Sequence, residues 1–159
     1  MVYLPPRVAP CRCVSCSEGN CHVYLTGLAA QVEVVKLECV KKLLRLAGRI
    51  CDCGIVWKNR PLIAAVELKG GKNLPVGRAV AQIQQGLHAM ESVLSGETVE
   101  DFLPILLFGG RDPTASLVGV RVNFRGSQRR IIARPCGARL SNVVRDALGR
   151  RPTVRRRRR

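Results

Sequence analysis

Aromatic residues are scarce: one Trp, two Tyr and three Phe in 159 residues. A core built from this chain is therefore aliphatic, and it offers no row of rings on which the bases of a single strand could stack. Acidic residues are also few, 11 against 27 lysines and arginines. No apolar run approaches the roughly 20 residues that a membrane-spanning helix needs, and the N-terminus lacks the pattern of a secretory signal. The expected location is cytoplasmic, with no membrane partner. Arginine far exceeds lysine, while asparagine and glutamine are sparse. That balance leans toward a thermophilic source.

The scarcity of acids leaves a formal net charge of +16. The last ten residues, 150–159, hold seven arginines and no acid, and removing those seven from +16 still leaves +9. A body this basic suits a polyanion, and nucleic acid is the polyanion expected: DNA, with RNA not excluded. A membrane surface would call for a basic amphipathic helix with aromatic anchors, which the chain does not show. Nor is there a base-reading helix motif, so any selectivity is expected for shape rather than sequence. The length suits one domain. It divides into an irregular Cys-rich segment 1–27, a folded body 28–149 and a disordered Arg-rich tail 150–159.

The periodicity predicts a first helix over 28–48, with Leu37, Val40, Leu44 and Ala47 in one apolar row and Val32, Val35, Leu43 and Leu46 in the next. Gly48 stops it. A hairpin follows over 50–58 and 61–70, turning at Asn59-Arg60. A second helix is expected over 76–95, with Val76, Val80, Ile83, Leu87, Met90 and Leu94 as its core stripe. Strands are expected at 102–108, despite Pro104, and at 117–124 and 129–134; a short helix closes the body at 140–148. The fold class is α/β, a mixed β-sheet flanked by helices.

Three charges mark the hairpin. Its second strand is apolar until Glu67-Leu68-Lys69. Strand side chains alternate, so Glu67 and Lys69 share a face, and Asp52 on the partner strand can join them. Two carboxylates and an ammonium at the end of a buried hairpin are costly unless something pairs them. A divalent cation with a phosphate would do so. The plain alternative is an ion pair at a strand end, worth little.

Asp52 with Glu67-x-Lys69, set between an expected helix and a Gln-bearing helix, resembles the PD-(D/E)xK nuclease superfamily, with its restriction-endonuclease-like αβββαβ core. The resemblance spans about residues 28–109, and Cys51 stands where the family name places proline. It implies Mg²⁺ or Mn²⁺ held by Asp52, Glu67 and the Leu68 carbonyl, with Lys69 orienting the attacking water or stabilising developing charge. It implies an acid on the first helix. Glu33 is the better choice there, since Glu38 shares a face with Lys41, Lys42 and Arg45 and reads as an exposed salt-bridge residue. It further implies a glutamine on the second helix. Gln82 lies with small residues Ala79, Gly86 and Ala89, whereas Gln85 lies with Arg78 and His88 on a polar face suited to a nucleic-acid backbone. The small size is similar to that of archaeal junction-resolving and repair nucleases of this superfamily, which commonly work as homodimers, so the resemblance implies an archaeal source and a homodimer.

Lys72, Arg78, Arg121, Arg125, Arg129, Arg130 and Arg134 are the candidate phosphate contacts. The cysteines stay open to several readings. Cys11, Cys13, Cys16 and Cys21, with His22, can hold one Zn²⁺ tetrahedrally, or an iron–sulfur cluster, or pair as disulfides. Cys51 and Cys53 flank Asp52 and should face away from it, as core thiols or as partners for Cys39 or Cys136. The expected function is metal-dependent DNA endonuclease activity. The alternatives are a non-catalytic basic nucleic-acid-binding protein, with the acidic hairpin as a structural ion pair, and a zinc-stabilised accessory protein.

Overall fold

Alternating apolar side chains on both strands of the acidic hairpin pack it between two layers, and the rest of the chain wraps around it. In the computed structural model, which describes residues 2–149, the fold is α/β with one mixed six-stranded sheet. The hairpin comprises β5 (Cys53–Trp57) and β6 (Leu62–Lys69), antiparallel, with Cys53 opposite Val66 and Val56 opposite Ile63. Earlier strands are β1 (Arg12–Cys13), β2 (Cys16–Glu18), β3 (Cys21–Val23) and β4 (Val32–Lys36). The strand β4 runs antiparallel to β5 on the side away from β6, and β1 borders β4. After β6 the chain crosses through helix α2 (Val76–Val93) to β7 (Asp101–Phe108), which lies parallel to β6. Later come β8 (Arg121–Phe124), β9 (Ser127–Arg130), β10 (Ile132–Pro135) and helix α3 (Leu140–Leu148). The strand β10 joins β7 in parallel, giving the order β1-β4-β5-β6-β7-β10.

One sheet face carries Val35, Val56, Ile63, Ala65 and Leu106 against Ile83, Leu87 and Met90 of α2. The other carries Val34, Cys53, Ile55, Ala64, Val66 and Ile105 against Leu140, Val143 and Val144 of α3. Pro104 lies opposite Ala65 of β6, one residue before the pairing of β7 with β10 begins, so it sits where β7 has a single neighbour.

The helix expected over 28–48 is instead the strand β4 followed by a short helix α1 (Leu37–Leu44). Val32, Val34 and Val35 are stiff β-branched side chains, and here they cover both faces of the sheet. A window this apolar satisfies a 3.6-residue and a 2-residue period together, and packing between two layers decides for the strand. The strand expected over 117–124 begins only at Arg121; Thr114–Leu117 is a 3-10 turn, and Gly119 at φ +75° breaks the run. Val118, left outside the strand, is 75% exposed, whereas Val122 and Phe124 are buried. The 129–134 strand divides in two: β9 pairs with β8 through an Arg125-Gly126 turn with both φ positive, and β10 enters the main sheet. The 76–95 and 140–148 helices and the 102–108 strand stand close to their expected bounds.

The segment expected as irregular carries a 3-10 turn at Pro6–Cys11, the strand β1 and the β2–β3 hairpin, and its Val2, Leu4 and Val8 are buried in the core. Three disulfides tie it down: Cys11–Cys39, Cys16–Cys53 and Cys21–Cys136. Among the described residues no helix is long and apolar enough to cross a membrane. The expected arginine tail, 150–159, lies outside the described residues.

Candidate active site

The ends of three elements make the site. Continuing the β5–β6 register by one residue sets Asp52 opposite Glu67. Asp52 itself precedes β5, because the chain at Cys51 leaves the ladder and its N–H donates to the Gln82 carbonyl of α2 at 3.0 Å. The Leu68 N–H donates to Asp52 Oδ2 at 2.7 Å. Glu67 Oε1 lies 3.5 Å from Lys69 Nζ. Asp52, Glu67, Leu68, Lys69 and Gln82 line one cleft of ≈ 350 Å³.

The electrostatics are unequal. Glu67 is 2% exposed and its Oε2 has no hydrogen-bond partner. Burial, then the neighbouring Asp52 carboxyl, push Glu67 up to about 8, with the Lys69 ammonium pulling the other way. Gln82 donates from Nε2 to the Ile50 carbonyl at 3.3 Å, and its buried Oε1 is also without a donor. Two buried oxygens with no donors, one on a carboxyl group, form an acceptor-rich pocket suited to a cation or to a polar ligand with hydrogens to give.

Glu33 is not part of this cleft. It stands on β4, with Arg12 Nη2 at 3.7 Å from its Oε2. The acid of the first helix that does line the cleft is Glu38, in the first turn of α1 and 3.1 Å from Lys41 Nζ, with Lys36 beside it at the end of β4. Glu38 makes the exposed salt bridge expected of it, and with the helix starting at Leu37 it also lines the cleft, as does Lys36, which carries no sequence signal of its own. Ser17 and Glu18 of the β2–β3 hairpin complete the wall, a contribution with no local sequence signal.

The cysteines fall on both faces. Cys53, as expected, faces away from the carboxylates and bonds Cys16. Cys51 does not: it is buried on the α2 face, where a Cβ on Gly86 would lie 2.2 Å from its sulfur. Burial first, then Glu67 and Asp52, push its thiol well up, which disfavours the thiolate. Cys11, Cys16 and Cys21 each bond a distant cysteine rather than converging with Cys13 on one zinc. Among the described residues no group of three or more His, Cys, Asp or Glu is placed to hold a metal.

The candidate phosphate contacts separate into two kinds. Lys72 and Arg78 are exposed, Lys72 in the loop after β6 and Arg78 one turn before Gln82 on α2. Arg121 and Arg130 are exposed and opposite one another on β8 and β9. The others are occupied by the fold. Arg125 donates to the carbonyls of Glu97, at 2.7 Å, and Leu94, closing the end of α2. Arg129 pairs with Asp101, and Arg134 reaches Asp146 at 3.8 Å. Gln85 donates to the Ala47 carbonyl at 3.2 Å, tying α2 to the end of α1.

No family model, curated protein or solved structure matches the chain.

Proposed function

We propose that the chain is a metal-dependent nuclease of the PD-(D/E)xK type, hydrolysing phosphodiester bonds of DNA. The carrying observation is the buried Glu67 carboxyl, set across from Asp52 with one oxygen unpaired and Lys69 beside it. The element order supports the reading: antiparallel β4, β5 and β6, then α2, then parallel β7, resembles the order of that superfamily's core, though here α1 follows the first strand instead of preceding it.

Asp52, Glu67 and the Leu68 carbonyl would hold Mg²⁺ or Mn²⁺, and the donor set fits a hard cation: two carboxylates, with a charge at Glu67 that burial otherwise disfavours. Such an ion lowers the pKa of bound water and neutralises phosphoryl charge. The protein's own groups orient the reaction. The Leu68 N–H fixes Asp52, Lys69 offers an ammonium to a phosphoryl oxygen or the attacking water, and the free Oε1 of Gln82 accepts a hydrogen bond from that water. Lys36 and Arg78 are exposed cations near the cleft for the flanking phosphates.

The test is cleavage of duplex, flap, junction and single-stranded DNA with Mg²⁺ or Mn²⁺, comparing the wild type with Asp52→Ala and Lys69→Ala. Loss of cutting in both variants, with DNA binding retained, supports the reading. Equal cutting by all three proteins refutes it, and binding without cutting by any of them supports the basic nucleic-acid-binding alternative.

A further inference from the structure

The chain leaves β6 and β7 in the same way, through a pair of glycines followed by a cation: Lys69-Gly70-Gly71-Lys72 and Phe108-Gly109-Gly110-Arg111. The two strands are parallel, so both loops emerge at one end of the sheet, outside the carboxyl ends of the strands, where open α/β sheets bind their ligands. The glycines let the loops touch. The Gly109 N–H donates to the Lys69 carbonyl at 2.8 Å, and a Cβ on Gly109 would lie 2.5 Å from the Gly70 carbonyl oxygen. A Cβ on Gly110 would lie 2.6 Å from the Lys72 carbonyl oxygen. This junction holds Lys69 at the carboxylate cleft and brings Lys72 and Arg111 together in a second cleft of ≈ 740 Å³. Leu74, Val76 and Pro113 give that cleft an apolar lining. Neither Lys72 nor Arg111 makes a side-chain hydrogen bond or an ion pair among the described residues. Asp112 also lines the cleft, but its Oδ1 accepts the Thr114 N–H at 2.9 Å and the Thr114 hydroxyl at 2.6 Å.

We propose that this second cleft seats one phosphodiester of the DNA strand, flanking the one at Asp52, Glu67 and Lys69, with Lys72 and Arg111 as its counter-charges; the flanking position rests on the nuclease reading. Two cations gathered without an anion repel one another, and a phosphate between them removes that cost. The Arg111 guanidinium can give two parallel hydrogen bonds to phosphate oxygens, and the Lys72 ammonium adds a compact charge. Lys72 and Arg111 less Asp112 leave the lining at +1, which matches the single negative charge of one phosphodiester. The apolar lining suits the sugar of the same nucleotide. Only Gly70 and Gly71 separate Lys69 from Lys72, so a phosphate seated here draws the strand toward Lys69. Lys72 and Arg111 are therefore positioning residues and touch no reacting atom.

The test has a binding arm and a cutting arm. In the first, the full chain carrying Asp52→Ala binds a labelled DNA oligonucleotide across a salt series. Adding Lys72→Ala and Arg111→Ala is expected to weaken binding about tenfold and to lower the log–log salt slope by about 1. Lys72→Arg with Arg111→Lys restores the slope, and equal denaturant midpoints show that the variants are folded. In the second arm, Asp52 is intact and the substrate is a pool of strands, each with one uncharged methylphosphonate in place of a phosphate. In the wild type, a methylphosphonate at one position beside the cut suppresses cutting. With Lys72→Ala and Arg111→Ala that suppression vanishes, while suppression at the cut itself stays. An unchanged salt slope, or the same interference pattern with and without the two cations, overturns the proposal. Cutting by the wild type alongside either of those results leaves the nuclease reading in place. A lowered slope with no cutting by the wild type supports the phosphate seat and removes the nuclease reading. No binding by any variant overturns both.

Discussion

Asp52 and Glu67 face one another across the end of the hairpin, and the fold provides for only one of them. Asp52 Oδ2 receives the Leu68 N–H at 2.7 Å, whereas Glu67 Oε2, buried, receives nothing. One carboxyl group accepts a backbone hydrogen bond, and the other is buried with an oxygen short of a donor, so burial and then the neighbouring Asp52 raise Glu67.

The raised Glu67 value makes stability depend on pH. The folded state holds the proton up to about 8, and the unfolded chain releases it near 4.5. Between those values the native state binds more protons, so stability falls as pH rises and levels off above the upper one. Glu67→Gln should remove this fall, and the difference from wild type should grow to the order of a few kcal/mol across that window. Denaturant unfolding at several pH values measures it. A constant difference would contradict the burial argument.

Asp52→Asn keeps an acceptor for the Leu68 N–H and removes the like charge beside Glu67. Glu67 should then ionise at lower pH, visible in its side-chain carboxyl NMR titration. Cleavage should drop by about 100-fold or more, and Mn²⁺ binding by calorimetry should weaken.

Lys69→Ala should act in the opposite sense on Glu67, whose ionised form loses the counter-charge of the ammonium 3.5 Å away. The Glu67 titration moves up. A rate constant at saturating DNA lowered about 100-fold, with KM changed little, is the expected kinetic result.

Gly86 packs so closely on Cys51 that an added Cβ would lie 2.2 Å from the sulfur. Gly86→Ala should cost roughly 1–3 kcal/mol by overpacking. Cys51→Ala in the same chain should recover most of that cost, a coupling measured by a double-mutant cycle.

The arginines should divide by function. Arg125→Ala removes two hydrogen bonds to carbonyls at the end of α2 and should lower stability by roughly 1–2 kcal/mol. Arg121→Ala with Arg130→Ala should leave unfolding unchanged while lowering the salt dependence of duplex binding by about 2 in the log–log slope. An unchanged slope would argue against any phosphate contact by these two.

The acidic hairpin and the Gln82 helix were legible because each obeys one unambiguous period: two residues places Glu67 with Lys69, and 3.6 residues places Ile83, Leu87 and Met90 inward. The 28–48 window was not, because its valines satisfy both periods, and so Glu33 was favoured over Glu38. The disulfide partners were equally hidden, since they join residues 28, 37 and 115 apart. Arg125 and Gln85 looked like free contacts because their acceptors are backbone carbonyls, which every residue carries and no sequence pattern marks.

The amino-acid order alone determined the basic charge, the α/β class and the shared face of Glu67 and Lys69, all of which follow from composition or from covalent alternation along one strand. Tertiary structure alone decided that Glu67 is sealed from water, that Cys51 lies beneath α2 and that a Cys-bound hairpin walls the cleft. Burial and sulfur pairing depend on which distant segments pack over a residue, and that is a property of the folded chain rather than of any short stretch of it.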